Sequence, residues 1–125
     1  MGAIELRSPA VAVNTPGNTA GGVTWMIGPV EGSRVKTATP SLCFHDDSGN
    51  VEVAAVYATS NDRESWSAAT AFSSYTSTAG WSYGSATDLS SAAKAWFKFG
   101  LAARNTTGIA VECARCQLIT DITFD

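Results

Sequence analysis

The single histidine, His45, stands beside Asp46 and Asp47, residue types that in other settings act as base, orienter and acid. Nucleophilic catalysis needs a nucleophile, a base and an orienting group in one line. Neighbours in one polar turn cannot form that line without partners from elsewhere, so this trio reads as a solvated turn. Cys113 and Cys116 form a C-x-x-C, which at a turn or helix start marks a redox pair or half a zinc site. Here the surrounding residues read as a strand. Positions three apart on a strand face opposite ways with Cα atoms about 10 Å apart, whereas a disulfide needs less than about 7 Å. A zinc site would also lack its second ligand pair. Asp46, Asp47, Asp62 and Glu64 are oxygen donors of the kind that bind calcium in sandwich turns, but their spacing matches no defined loop. No catalytic residue, metal ligand or cofactor is expected.

The aromatics Trp25, Trp66, Tyr75, Trp81, Tyr83 and Trp96 are the remaining chemistry-bearing set. Several fall in loop-rich sequence, where rings serve as stacking platforms for sugars. In a chain with a small core, packing or an interface is the preferred reading. Asn105-Thr106-Thr107 matches the glycosylation sequon, yet without an export signal it is read as a turn.

The frame that must position these residues is bounded by composition. At 125 residues the chain fits one domain, which at this size buries roughly two thirds of the surface exposed when unfolded. Apolar residues make up 45% and charged residues 15%, too apolar and too weakly charged for a disordered chain. Net charge is -3 and the eight Lys and Arg are scattered, so no basic stripe for phosphates exists and nucleic acid is not an expected partner. No apolar run approaches the roughly 18 to 20 residues of a membrane span. The opening MGAIELRSPAV carries an acid and no hydrophobic core, so the chain is expected to be soluble and unexported. Three cysteines, Cys43, Cys113 and Cys116, are an odd number and are read as buried thiols in a reducing compartment.

Apolar and polar residues alternate wherever a period is visible, and Gly, Pro, Asn and Asp clusters interrupt every ten to fifteen residues, as in many short strands joined by turns. Ile4 and Leu6 alternate with Glu5 and Arg7, Pro9 ends the run, and residues 10–13 continue it. Residues 1–22 are therefore expected to be an N-terminal arm or edge strand, and 23–125 the sandwich domain. Gly28-Pro29 is expected to close a strand over 23–27, and Pro40 to precede one at 42–44. His45 to Asn50 is expected to turn a hairpin into Val51–Thr59, with Val51, Val53, Ala55 and Tyr57 facing the core. Lys94 to Arg104 is the clearest strand, with Phe97, Phe99 and Leu101 on one face, and is expected to pair antiparallel with 109–120. Asp88 to Ala95 is read as a single helical turn.

The stretch 53–69, with its AAVYATSNDRESWSAA, resembles the segment of discoidin-like (galactose-binding-like) jelly rolls in which a strand ends in a polar turn and a Trp folds back. KAWFKFGLAARN followed by IAVECARCQLI is similar to the late strand pair of such domains. Arg63 stands where that turn usually carries Gly. A Gly-, Ala-, Thr- and Ser-rich sandwich of this size also resembles phage head decoration (capsid cement) proteins.

The fold expected is all-β, an antiparallel β-sandwich or jelly roll, as a single domain with an extended N-terminal arm. The function expected is that of a structural virion protein, assembled in the host cytoplasm, that decorates or cements a phage capsid without catalysis. Its partners would be a major capsid or other shell protein and further copies of itself, with neither nucleic acid nor membrane. The contact residues expected are Ile4, Leu6, Val11 and Val13 on the arm, with Trp25, Trp81 and Tyr83 as exposed aromatics. The alternative is a carbohydrate-binding module using Trp66, Trp81, Tyr75 and Asp62.

Overall fold

The computed structural model describes residues 2–15, 19–44, 51–77, 79–105 and 111–125, with only the backbone of 14, 15, 19–21 and 111–115. The His45–Asp46–Asp47 trio and the expected turn at 106–108 lie outside the described residues. The strands are β1 (Gly2–Arg7), β2 (Val11–Thr15), β3 (Thr19–Glu31), β4 (Val35–Phe44), β5 (Val51–Ser60), β6 (Thr70–Ala71), β7 (Gly80–Tyr83), β8 (Thr87–Asp88), β9 (Trp96–Asn105) and β10 (Val111–Phe124). The helical candidate is one 3-10 turn, Ser90–Ala92. Asp88 Oδ1 accepts the Ser90 backbone N–H at 2.9 Å ahead of it.

Two antiparallel sheets pack face to face as a β-sandwich. One runs β1-β10-β4-β7, with β2 following β1 along β10 and β8 beside β4; the other runs β3-β9-β5-β6. Two expected hairpins are corrected by this order. β4 and β5 belong to different sheets, and so do β9 and β10. Two alternating strands around a polar turn look alike whether the chain folds back in one sheet or crosses to the other. Only the partners that complete each sheet decide, and here β9 pairs with β3 and β5 while β10 pairs with β1, β2 and β4.

Two expected strand breaks are corrected as well. β3 continues through Gly28-Pro29 because the register shifts between Ile27 and Val30, a bulge that takes up the two residues on an edge strand, where proline is tolerated. β4 runs through Pro40, whose carbonyl accepts the Gly84 N–H at 2.8 Å. In a strand a residue's N–H and C=O point the same way. The position where proline has no N–H therefore faces the gap between β7 and β8, and the ladder to β10 loses nothing.

The core fills from the inward faces of the strands, which the alternation marks in β5 and β9. Val51, Val53 and Ala55 of β5 and Phe97, Phe99, Leu101 and Ala103 of β9 meet Ala38, Leu42 and Phe44 of β4 and Leu118 and Ile122 of β10. Phe97 and Phe99 stack with ring centres 5.8 Å apart, and Phe72 lies 5.7 Å from Phe99 and 5.9 Å from Tyr57. Cys43 and Cys116 are buried. Cys113 and Cys116 both lie in β10, as expected, but a bulge between them sets Cys113 opposite Val13 and Cys116 opposite Val11, so simple alternation does not hold across the pair.

Candidate functional site

With its inward face spent on the core, β9 turns Trp96, Lys98, Gly100, Ala102 and Arg104 outward. Gly100 stands opposite Trp25 of β3. A Cβ at Gly100 would lie 2.2 Å from the Thr24 carbonyl oxygen, so only glycine lets the strands approach this closely. Lys98 Nζ then sits 4.3 Å from the Trp25 ring centre and 4.5 Å from that of Trp66. The Arg63 guanidinium lies 4.6 Å from the Trp96 ring and that of Arg104 3.9 Å from the Tyr75 ring, while Arg104 Nε also meets Glu52 Oε1 at 3.2 Å. Cation–π stacking of this kind fixes both partners. Trp25, Trp66, Trp96 and Tyr75 are thereby engaged within the chain.

The loop after β5 supplies two members of this array. Asp62 Oδ1 accepts the N–H groups of Glu64 and Ser65, each at 2.9 Å. These bonds, with that from the Ser60 hydroxyl, hold the Asp62 carboxyl below the usual carboxylate range, Ser65 contributing most. The carboxylate serves its own turn. Arg63 adopts φ 65°, the left-handed region that glycine ordinarily fills, at the position where the resemblance would have placed glycine. Trp66 Nε1 donates to the Arg63 carbonyl at 3.2 Å. Among the described residues no group of three His, Cys, Asp or Glu side chains is placed to hold a metal ion.

β7 leaves its aromatics open. It ends its sheet beside β4, and its alternation sends Ser82 toward Leu42 on the inner side. Trp81 and Tyr83 point outward, 39% and 78% exposed. Beside this edge lies a cleft of about 600 Å³, lined by Phe72, Tyr75 and Tyr83 and by hydroxyls that include Ser73, Thr76 and Ser82.

The seven expected contact residues do not converge. Trp81 and Tyr83 stand together on β7, at one end of their sheet. Ile4, 46% exposed, and Leu6 stand on β1 at the opposite end. Trp25 is exposed but belongs to the other sheet and to the Lys98 stack. Leu6 and Val11 pack partly buried against the core, and Val13 is 2% exposed within it. Val13 is corrected as a contact residue, because β2 pairs with β10 and turns this side chain inward. The proposed sugar set is likewise dispersed: of Trp66, Trp81, Tyr75 and Asp62, only Tyr75 lines the cleft. The stacking of Lys98, Arg63 and Arg104 was not anticipated, although the alternation of β9 had placed Trp96, Lys98 and Arg104 on one face.

No protein-family model matches the chain, and no curated protein matches it. Among solved structures it is similar to chains of infectious bursal disease virus, strains Gx and Gt, each at 9% identity and a TM-score of 0.63. The likeness covers 96% of this chain and 32% of each viral chain, so the chain spans about a third of their length. At this identity the likeness is one of fold. It does not confirm the discoidin-like resemblance.

Proposed function

We propose that this chain is a structural virion protein that decorates or cements a phage capsid through protein–protein contacts, without catalysis. The observation that carries the reading is the β7 edge, where Trp81 and Tyr83 stay exposed while the other large rings are packed or stacked on cations. Aromatic side chains of this kind anchor protein interfaces, and β7, with no second strand partner among the described residues, adds edge backbone groups beside them. The likeness of fold to chains of a virus supports the same reading. The partner is a shell protein, and the protein acts in the virion after assembly in the host cytoplasm. The test is co-sedimentation with candidate capsid shells. Specific, saturable binding that Trp81→Ala with Tyr83→Ala abolishes is expected; binding unchanged in that variant, or absent from every shell of the source virus, overturns the proposal.

A second reading is favoured by the cleft between the β6 and β7 edges, whose hydroxyls and two tyrosines suit a glycan. Glycan-array binding lost on Tyr83→Ala would put this reading first, and silence on the array removes it.

A further inference from the structure

The unpaired side of β1 carries a charge pattern that matches itself. β1 ends its sheet, and its strand partner among the described residues is β10, in a register that sets Gly2 against Phe124 and Arg7 against Ile119. The next residue, Ser8, donates its N–H to the Leu118 carbonyl at 2.9 Å. Backbone groups alternate in direction along a strand, so Leu6 and Ile4 also turn theirs toward β10. Those of Ala3, Glu5 and Arg7 point outward, a short row of donors and acceptors that meets no strand among the described residues.

The side chains select which strand fits. Glu5 and Arg7 share one face, are exposed, and pair with each other at 2.7 Å. In an antiparallel pairing two-fold symmetric about Leu6, Glu5 of each copy stands directly opposite Arg7 of the other, so both cross-strand charge pairs are attractive. These are also the residues whose backbone groups point outward, so the same positions exchange N–H···O=C bonds. A register centred on Glu5 instead sets two carboxylates against each other, which is unfavourable. Leu6 meets Leu6 of the second copy on the opposite face, and a strand laid here covers Ile4. Pro9, lacking an N–H, limits the ladder to the β1 segment.

We infer that two copies of this chain join through their β1 edges, antiparallel and two-fold about Leu6. Such an interface is isologous, each copy offering the same patch, and it lies at the opposite end of the sheet from Trp81 and Tyr83, so self-association and shell binding are separable.

The experiment measures self-association of the full chain by sedimentation, without any particle. The wild type is expected to dimerise, more weakly as salt rises. Glu5→Arg and Arg7→Glu each place like charges opposite across the two-fold, and each alone is expected to weaken dimerisation about tenfold or more. Mixed in equal amounts, the two variants set a wholly basic edge against a wholly acidic one, so both cross-strand pairs become attractive again and dimers are expected to return. The mixture cannot repair the pair within either chain, so recovery reports the contact between copies. A monomeric wild type, single variants that dimerise as it does, or a mixture that fails to recover overturns the inference. Wild-type circular dichroism in both variants shows that the fold is retained.

Discussion

Lys98 holds its ammonium nitrogen 4.3 Å from the ring centre of Trp25 on the adjacent strand, with Trp66 at 4.5 Å. A cation between two indoles joins the loop after β5 to the outer face of β3 and β9. Lys98→Ala is expected to cost about 0.5–2 kcal/mol and to change the tryptophan emission; Lys98→Arg, which keeps the charge over the rings, is expected to cost less. Urea denaturation followed by fluorescence compares the two, and equal losses would show that a positive charge over the rings is not what stabilises the contact.

Gly100 makes that approach of strands achievable. Its hypothetical Cβ lies 2.2 Å from the Thr24 oxygen and 2.9 Å from the Trp25 Cα, both backbone atoms that cannot swing aside. Gly100→Ala is expected to destabilise the protein by about 1–3 kcal/mol or more through forced separation of β3 and β9. Gly2→Ala, with nothing within 4 Å of its hypothetical Cβ, is the control and is expected to leave the melting temperature nearly unchanged.

Arg63 combines a costly backbone with a useful side chain. At φ 65° a non-glycine residue carries about 1 kcal/mol or more of strain, and the guanidinium over Trp96 offsets part of it. Arg63→Ala keeps the strain and loses the stacking, while Arg63→Gly loses both. The glycine variant is expected to be more stable than the alanine variant by about 1 kcal/mol. The reverse order in chemical denaturation would mean that the left-handed conformation does not persist in solution.

Much of the sandwich was legible because alternation reports burial directly. The inward faces of β5 and β9, from Val51 and Val53 to Phe97, Phe99 and Leu101, are the ones the period marked. Sheet membership was not legible. The sequence around β4 and β5 has every mark of a hairpin, yet which sheet each strand joins depends on partners far along the chain, such as Gln117 opposite Cys43 and Val56 opposite Gly100. Pro40 was read as a breaker because its missing N–H is a local fact, whereas the gap between β7 and β8 that makes it harmless is a tertiary one. At the candidate site, Trp81 and Tyr83 were identifiable by type, and Val13 was misplaced because an alternating segment looks the same paired to its own sheet or leaving it.

The acid side of the stability profile follows from two turn carboxylates. Asp62 is held low, chiefly by the Ser65 N–H, and Asp88 by the Ser90 hydroxyl and then its N–H. A carboxyl with a folded pKa below its unfolded value, about 4, adds stability above that pH and loses it as pH falls through the folded value. The denaturation midpoint is therefore expected to fall below about pH 4. Asp62→Asn, which cannot ionise, is expected to flatten that fall; an unchanged acid limb in Asp62→Asn together with Asp88→Asn would remove these turns as its cause.

The N-terminal segment is stitched to its own sheet at Ser8. Its Oγ accepts the buried Leu118 N–H at 2.9 Å and donates to the Pro9 carbonyl at 2.9 Å, and Gln117 Nε2 donates to the Ser8 carbonyl at 3.1 Å. These bonds carry the chain past the proline and deliver Val11 and Val13 to β10. Ser8→Ala leaves the Leu118 amide without its side-chain acceptor in the interior, at a cost of about 1–3 kcal/mol. Deletion of residues 1–13 removes that anchor, the Leu6 contact and the Val13 side chain from the core at once, so the truncated chain is expected to lose its cooperative thermal transition. If it melts cooperatively near the wild-type temperature, β1 and β2 contribute little to the sandwich, and the arm is free to leave it. A truncated chain that unfolds, beside a Ser8→Ala variant that is merely weakened, identifies the segment as core whose outer edge alone is available to partners.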